Sequence, residues 1–370
     1  MRSVICLTMA LSLLLWSCSD DSETKLDGKV PDASVKEDTV SFEDQFVPVP
    51  DGPTVDLPSS SDVKPDSDPG IPSSWTEVLT GTSGELYDVY CLDAKNVFAV
   101  GKGGLIMKYD GTSWSTMTNP DPDKNNLRAL WDGGQYLFAV GDRVDIYYDG
   151  TKWNQGYSST YSYDFTDLWA ASSGADLWTT IQATSTYSTY FYTRSKASPT
   201  GSWTSTSTSV VTGVDFYGIW GLSDSEVYAV GDQGKILSCK GTCKGYSGTN
   251  WAEMTSPVSS NLRGIWGTSS SDIFAVGFDG ALLHYDGTAW KKMNANTSTY
   301  FYAVWGSSST DVYAVGHPIF KSDESIFHYD GSTWKKMPPP HTSYLNSVWG
   351  TSKSDVWAVG KTHILHYDGK

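Results

Sequence analysis

Leu262-Arg-Gly-Ile-Trp266-Gly, then Asp272-Ile-Phe-Ala-Val-Gly277, then Leu283-His-Tyr-Asp-Gly-Thr-Ala-Trp290 is the stretch whose reading decides the fold. The same succession is written six times, and a seventh copy stops at Tyr367-Asp-Gly-Lys370. Runs this short, rich in β-branched and aromatic residues and bounded by Gly or Asp-Gly, are strands. Four strands in a unit of about 40 residues are the mark of a β-propeller. The strand that the seventh copy lacks stands at the other end, as Ser73-Ser-Trp75-Thr-Glu-Val-Leu79. The expected architecture is therefore all-β, a seven-bladed β-propeller over residues 73–370. Its last blade is closed by the N-terminal strand Trp75 to Leu79, which leaves no open sheet edge in the ring.

Register follows from the tryptophans. An inner-strand Trp recurs at Trp131, Trp169, Trp220, Trp266, Trp305 and Trp349, with Tyr90 in the first copy. An outer-strand Trp recurs at Trp75, Trp114, Trp153, Trp203, Trp251, Trp290 and Trp334. Thirteen of the sixteen tryptophans thus hold repeat positions, where large rings pack blade on blade before they do anything else. The Ala-Val-Gly strand ends at Gly101, Gly141, Gly231, Gly277, Gly316 and Gly360, with Leu177-Trp178-Thr179 in the third copy. Asp-Gly pairs at Asp110, Asp149, Asp286, Asp330 and Asp368 mark hairpins that need positive φ. Their spacing differs from that of calcium loops, so they read as turn residues.

The Trp-Gly, Ala-Val-Gly-x-x-Gly and Tyr-Asp-Gly-x-x-Trp pattern resembles the repeats of bacterial surface propeller lipoproteins. It is also similar to Asp-box (sialidase-type) and photosystem II assembly-factor-type propellers. The resemblance covers Trp75 to Lys370 and implies fold more strongly than activity, since propellers host hydrolases, lyases, lectins and scaffolds. Here Gly follows Asp directly, which departs from the Asp-box order.

Residues 1–17 read as a signal peptide. Arg2 precedes an apolar run from Val4 to Trp16 that is too short for a membrane span. Leu15-Trp16-Ser17-Cys18 fits a lipoprotein cleavage box with Cys18 as the lipid-bearing residue; the alternative is an ordinary leader cleaved near Ser17. Residues 18–72 read as a disordered acidic tether: between Ser19 and Ser74 lie 14 acids and 4 lysines, most of the chain's net charge of −16. No basic cluster occurs, which argues against nucleic acid. The expected setting is the outer membrane or cell surface, with the lipid anchor in the bilayer and the protein a monomer.

Export also suits the cysteines. Cys239-Lys-Gly-Thr-Cys243 lies in an expanded hairpin of the fourth copy and reads as a disulfide, with two surface thiols as the alternative. Cys91 reads as a buried free thiol.

In each copy the residue opening the inner strand varies while its neighbours stay apolar or small: Tyr87, Arg128, Thr166, Tyr217, Arg263, Tyr302 and Asn346. Topology puts these at one mouth of the central channel, together with the second-turn residues Lys102, Arg143, Asp232, Phe278, Asp279 and His317. Such a ring suits recognition of a protein or glycan, and solvent exposure alone would also permit the variation. His284, His328 and His366 share one repeat place and read as structural. His317, His341 and His363 do not. All three are expected on the mouth face near Asp323 and Glu324, where imidazoles with a carboxylate would form a first shell for zinc or another divalent metal. Independent loop residues are the other reading, and no cofactor is otherwise implied.

Catalytic motifs are thin. A sialidase needs an arginine triad, and the chain beyond the leader offers Arg128, Arg143, Arg194 and Arg263, of which Arg128 and Arg263 share a repeat place. The expected function is a lipid-anchored binding or scaffolding module and not an enzyme. The alternatives are an enzyme acting on glycans or lactones and a carbohydrate-binding lectin, the latter suggested by the Tyr and Ser/Thr cluster from Tyr157 to Tyr192.

Overall fold

Val97, Phe98, Ala99 and Val100 are all without solvent exposure, as expected of a second strand covered on both faces. A computed structural model of the chain describes residues 75–78, 84–156, 164–182, 189–208, 210–245, 249–341, 343–361 and 363–369. The leader, Cys18, the acidic tether and Leu79 lie outside the described residues, as do parts of the Tyr157 to Tyr192 cluster. Seven four-stranded antiparallel sheets are formed, each from consecutive strands except the last. In that blade the closing strand Trp75–Val78 pairs with Ile364–Tyr367, Trp75 opposite Tyr367 and Val78 opposite Ile364. Each inner strand touches the inner strands of both neighbouring blades, and the seventh touches the first, so the ring is closed.

A contact between copies explains the Trp-Gly dipeptide. A Cβ built on Gly267 would lie 2.9 Å from the ring of Trp220, and on Gly306 or Gly350 it would lie 2.7 Å from Trp266 or Trp305. Gly221 meets Trp169 in the same way at 2.9 Å. The Gly of each of these blades is therefore the seat of the preceding blade's Trp. Where the seat is not Gly, a polar contact appears: Trp131 Nε1 donates to the Ala170 carbonyl at 2.9 Å. Cys91 takes the seat in blade one and is the buried free thiol expected, its Sγ 3.8 Å from the Trp349 carbonyl.

The Asp-Gly hairpins are four-residue loops. In blade one Tyr109 pairs with Trp114, and Asp110 Oδ1 accepts from the Thr112 and Ser113 amides, both at 2.9 Å. Only the glycine enters the positive-φ region, with φ of 96° at Gly111, so Asp serves as the acceptor that shapes the loop. Outer strands then expose their last residues, as Lys291 and Lys292 do beside buried Trp290, which discourages edge pairing. In the third blade Leu177-Trp178 occupies the place of Val97-Phe98, and Ile181 pairs with Phe165 where other blades have Gly.

The disulfide between Cys239 and Cys243 is present and clips the expanded hairpin of blade four. Trp251 Nε1 donates to the Cys243 carbonyl at 3.0 Å beside it. The repeat histidines are structural as well: His284, His328 and His366 bond through Nε2 to Asp272, Asp311 and Asp355 at 2.7, 2.7 and 2.8 Å.

Two carboxylates tie inner strands together. Asp88 accepts from the Leu130 amide of blade two at 2.7 Å and from Ser347 Oγ of blade seven at 2.6 Å. Asp167 accepts from the Ile219 amide of blade four at 2.8 Å. Burial pushes Asp88 up from 3.8 to about 6 and Asp167 to about 8, against the hydrogen bonds that favour the charge.

These shifts set a pH dependence. Below 3.8 both states hold their protons, and as pH rises the unfolded carboxyls ionise first while the folded ones keep their protons until about 6 and about 8. Stability should therefore fall across that window and level off above it. Urea melts at stepped pH should show a shallower decline in Asp167→Asn than in the wild type, and equal slopes would refute the assignment. Closure gives a second test. Deletion through residue 72 should leave the melt unchanged. Deletion through residue 79 removes Trp75, which is 2% exposed and packed on Tyr313 and Tyr367, and should cost about 3 kcal/mol or more. Equal thermal melts of the two truncations would contradict the closure.

Candidate functional site

The mouth is framed by a close contact at the end of every second strand but the third. A Cβ on Gly277 would lie 2.1 Å from the Asn261 carbonyl, and on Gly360 it would lie 1.8 Å from that of Tyr344. The end of the second strand is thus pressed against the start of the inner strand, and the opening residue projects from a doubly held backbone. At the adjoining turns Arg143, Gln233 and Asp279 adopt φ of 55°, 56° and 56°, a conformation that costs a non-Gly residue about 1–2 kcal/mol.

On this frame six of the expected mouth residues, joined by Tyr300, form a continuous arc across blades four to seven. The Arg263 guanidinium lies 3.6 Å from the centre of the Tyr217 ring and 4.7 Å from that of Phe278. Phe278 stacks on Tyr300 at 4.5 Å and meets Tyr302 edge-on at 5.6 Å. Tyr302 lies 4.2 Å from His317, whose Nε2 is 3.0 Å from Asn346 Oδ1. Asn346 donates through Nδ2 to the Leu86 carbonyl at 2.7 Å, which fixes its Oδ1 as acceptor and so assigns the His317 proton to Nε2. Burial lowers His317 to about 4, so its ring is neutral at physiological pH.

Electrostatics single out Arg263. Its Nε is buried without a hydrogen-bond partner, and so is Asp232 Oδ1, while Asp232 Oδ2 accepts from Tyr217 at 3.2 Å. Burial raises the Asp232 carboxyl even though Arg263 opposes the shift. In blades one and two the arrangement differs: Arg128 packs over Tyr87 at 4.8 Å and forks onto Asp142 at 2.7 and 3.1 Å. Thr166 turns to Thr180 and to the Phe216 carbonyl, and so serves blade contact.

The histidines expected together are divided. His341 Nε2 lies 2.9 Å from His363 Nδ1, and the carboxylate beside them is Glu77 of the closing strand. His317 belongs to the aromatic arc. Asp323 is occupied elsewhere, accepting from Thr297 Oγ1 of the connection entering the sixth blade at 3.0 Å and from the Phe320 amide at 3.2 Å. Glu77 is the ligand type that spacing alone missed, because it sits nearly 300 positions away on a strand brought back only by closure.

Arg194 is also elsewhere. It is 3% exposed between blades two and three, bonded to Asp145 at 2.9 Å and packed over Trp203 at 4.4 Å, which removes it from any arginine triad at the mouth. The inner aromatic ring outlines a further cavity of about 420 Å³, lined by Tyr90, Trp131, Trp169, Trp220, Trp266 and Trp349.

No known protein-family model and no curated protein matches the sequence. Solved structures match it in fold. YCF48 bound to D1 peptide shares 15% identity at a TM-score of 0.62, over 80% of this chain and 96% of its own. YCF48 from Cyanidioschyzon merolae shares 14% at 0.61, over 79% and 98%. A streptogramin B lyase shares 12% at 0.64, over 79% and 96%. At these identities the likeness is one of fold, and the chain is similar to propellers that include both a peptide-bound protein and a lyase.

Proposed function

We propose that the protein is an envelope-anchored binding module that takes a peptide segment of a partner protein at the channel mouth. The observation that carries this reading is the Tyr217–Arg263–Phe278–Tyr302 arc, a stacked guanidinium with an unsatisfied buried Nε among aromatic rings. Aromatic residues and Arg are the side chains that dominate protein interfaces, and a rigid cluster of them loses little entropy on binding. A propeller of the same fold carries a bound peptide, which supports a peptide as the class of occupant. Binding without turnover is the proposed activity. Support for location comes from the Leu15-Trp16-Ser17-Cys18 box, the acidic tether and a disulfide suited to an oxidising compartment. A glycan reading has one observation in its favour, the Trp-lined cavity at the inner aromatic ring.

Photo-cross-linkers placed at Tyr302 and, on an outer strand, at Lys291 would test the mouth in intact envelopes. A discrete adduct is expected from position 302 alone. Arg263→Ala should cut it by about tenfold or more at an unchanged melting temperature. Adducts of equal yield at both positions, or insensitivity to Arg263→Ala, would refute the assignment, and retention on a glycan array would favour the Trp-lined cavity instead. Separately, Cys18→Ser should release the protein from the membrane fraction or leave its leader uncleaved. Unchanged fractionation with unchanged mass would rule out the anchor.

A further inference from the structure

The seam of the ring gathers three metal-binding side chains from three separate segments. Glu77 stands on the closing strand and pairs with Leu365. His363 lies just before the strand that receives it, and His341 lies in the connection entering the seventh blade. Residues 77 and 365 share a face, so Glu77 and His363 are diagonal neighbours across the pair. His363 Nδ1 is 2.8 Å from Glu77 Oε1 and 2.9 Å from His341 Nε2, and one ligand atom from each residue lies within 4.8 Å of the others.

A single atom is asked to do two incompatible things. If His363 Nδ1 carries its proton, that hydrogen serves Glu77 and cannot also serve His341 Nε2 fully. If it is bare, it accepts from His341 but faces the carboxylate lone pair to lone pair. A cation at the centre of the three atoms would use all three lone pairs at once. Bonds of about 2.0–2.1 Å in a tetrahedral shell separate ligand atoms by about 3.3 Å, so the two separations at His363 need a few tenths of an ångström of opening, while Glu77 and His341 adjust by side-chain rotation. The side chains are 35%, 33% and 23% exposed for Glu77, His341 and His363, leaving an entry path and a fourth position for water. The backbone behind them is fixed: the His363 carbonyl accepts from the Gly360 amide at 3.1 Å, and that of His341 from Ser343 Oγ at 3.2 Å.

We propose that Glu77, His341 and His363 bind a late first-row divalent cation, zinc(II) by donor type, and that the ion clasps the closing strand to the seventh blade. Two imidazole nitrogens and one carboxylate favour zinc over magnesium or calcium, which take oxygen shells. Because two of the ligands flank the closing pair and one lies on the strand itself, the ion holds the two ends of the propeller together without a covalent bond. It binds only the closed ring, so binding and closure stabilise each other.

Tag-free protein beginning at residue 19, stripped with chelator, would be titrated calorimetrically with zinc chloride and with magnesium chloride. One zinc per chain is expected, with a melting temperature that rises with zinc and not with magnesium. Glu77→Gln, His341→Ala and His363→Ala should each weaken zinc by more than about tenfold, while His317→Ala should not. All four positions are surface or mouth residues, and melting of the stripped variants reports whether each is folded. The proposal is overturned by absence of stoichiometric binding at micromolar zinc. It is equally overturned by binding indifferent to Glu77→Gln or by binding lost in His317→Ala.

Discussion

Everything in the ring depends on a large ring meeting a missing side chain. Trp220, Trp266 and Trp305 each lie within 2.9 Å of where the next blade's Cβ would be, closer than real Cβ contacts allow, so a side chain there would have to displace a large ring. The glycine is required by proximity, not by backbone angle, since none of these seats has positive φ. The dipeptide that looks like one local motif is therefore two halves of different contacts. Its Trp faces forward to the next blade, and its Gly receives the ring from the blade before. That coupling sets the approach of successive sheets at four of the seven steps, from blade three to blade seven, and Asp132, Ala170 and Cys91 hold the corresponding place in the other three.

With the inner ring held in this way, variation is free at the opposite end of the same strands. The residue three positions before each inner aromatic bears no packing duty common to all copies, so Tyr, Arg, Thr and Asn alternate there. What decides whether such variation amounts to a site is contact between blades. Across blades four to seven the mouth residues touch in sequence from Tyr217 to Asn346, each immobilised by the next. Thr166 shows the contrary case, a mouth position turned into the blade interface by its hydroxyl.

Much of this was legible because the repeat reports on itself. Period, strand number, closing strand, disulfide and the structural rank of His284, His328 and His366 all follow from comparing copies. The hairpin mechanism did not, because Asp-Gly satisfies both a two-residue turn and a four-residue loop, and only the Tyr109–Trp114 pairing separates them. Nor did Ile181 in a glycine place, where the third blade differs. The buried pair of Asp145 and Arg194 was hidden for a related reason: neither residue belongs to the repeat, so no comparison between copies could place it.

The seam is where repeat logic ends and long-range contact begins. Within blades, neighbouring strands are joined by short turns, so their pairing loses little loop entropy. The closing strand has no such tether to the strand it joins, and the two lie almost the whole propeller apart in sequence. Its pairing must be sustained by Trp75, buried at the start of one face, and by what that same face meets two residues further on. Glu77 is the residue that face presents, and two histidines from separate segments of the seventh blade converge on it. The repeat histidines His284, His328 and His366 pair one to one with an aspartate of their own blade, so a carboxylate facing two imidazoles marks the seam as chemically distinct from the repeats it joins.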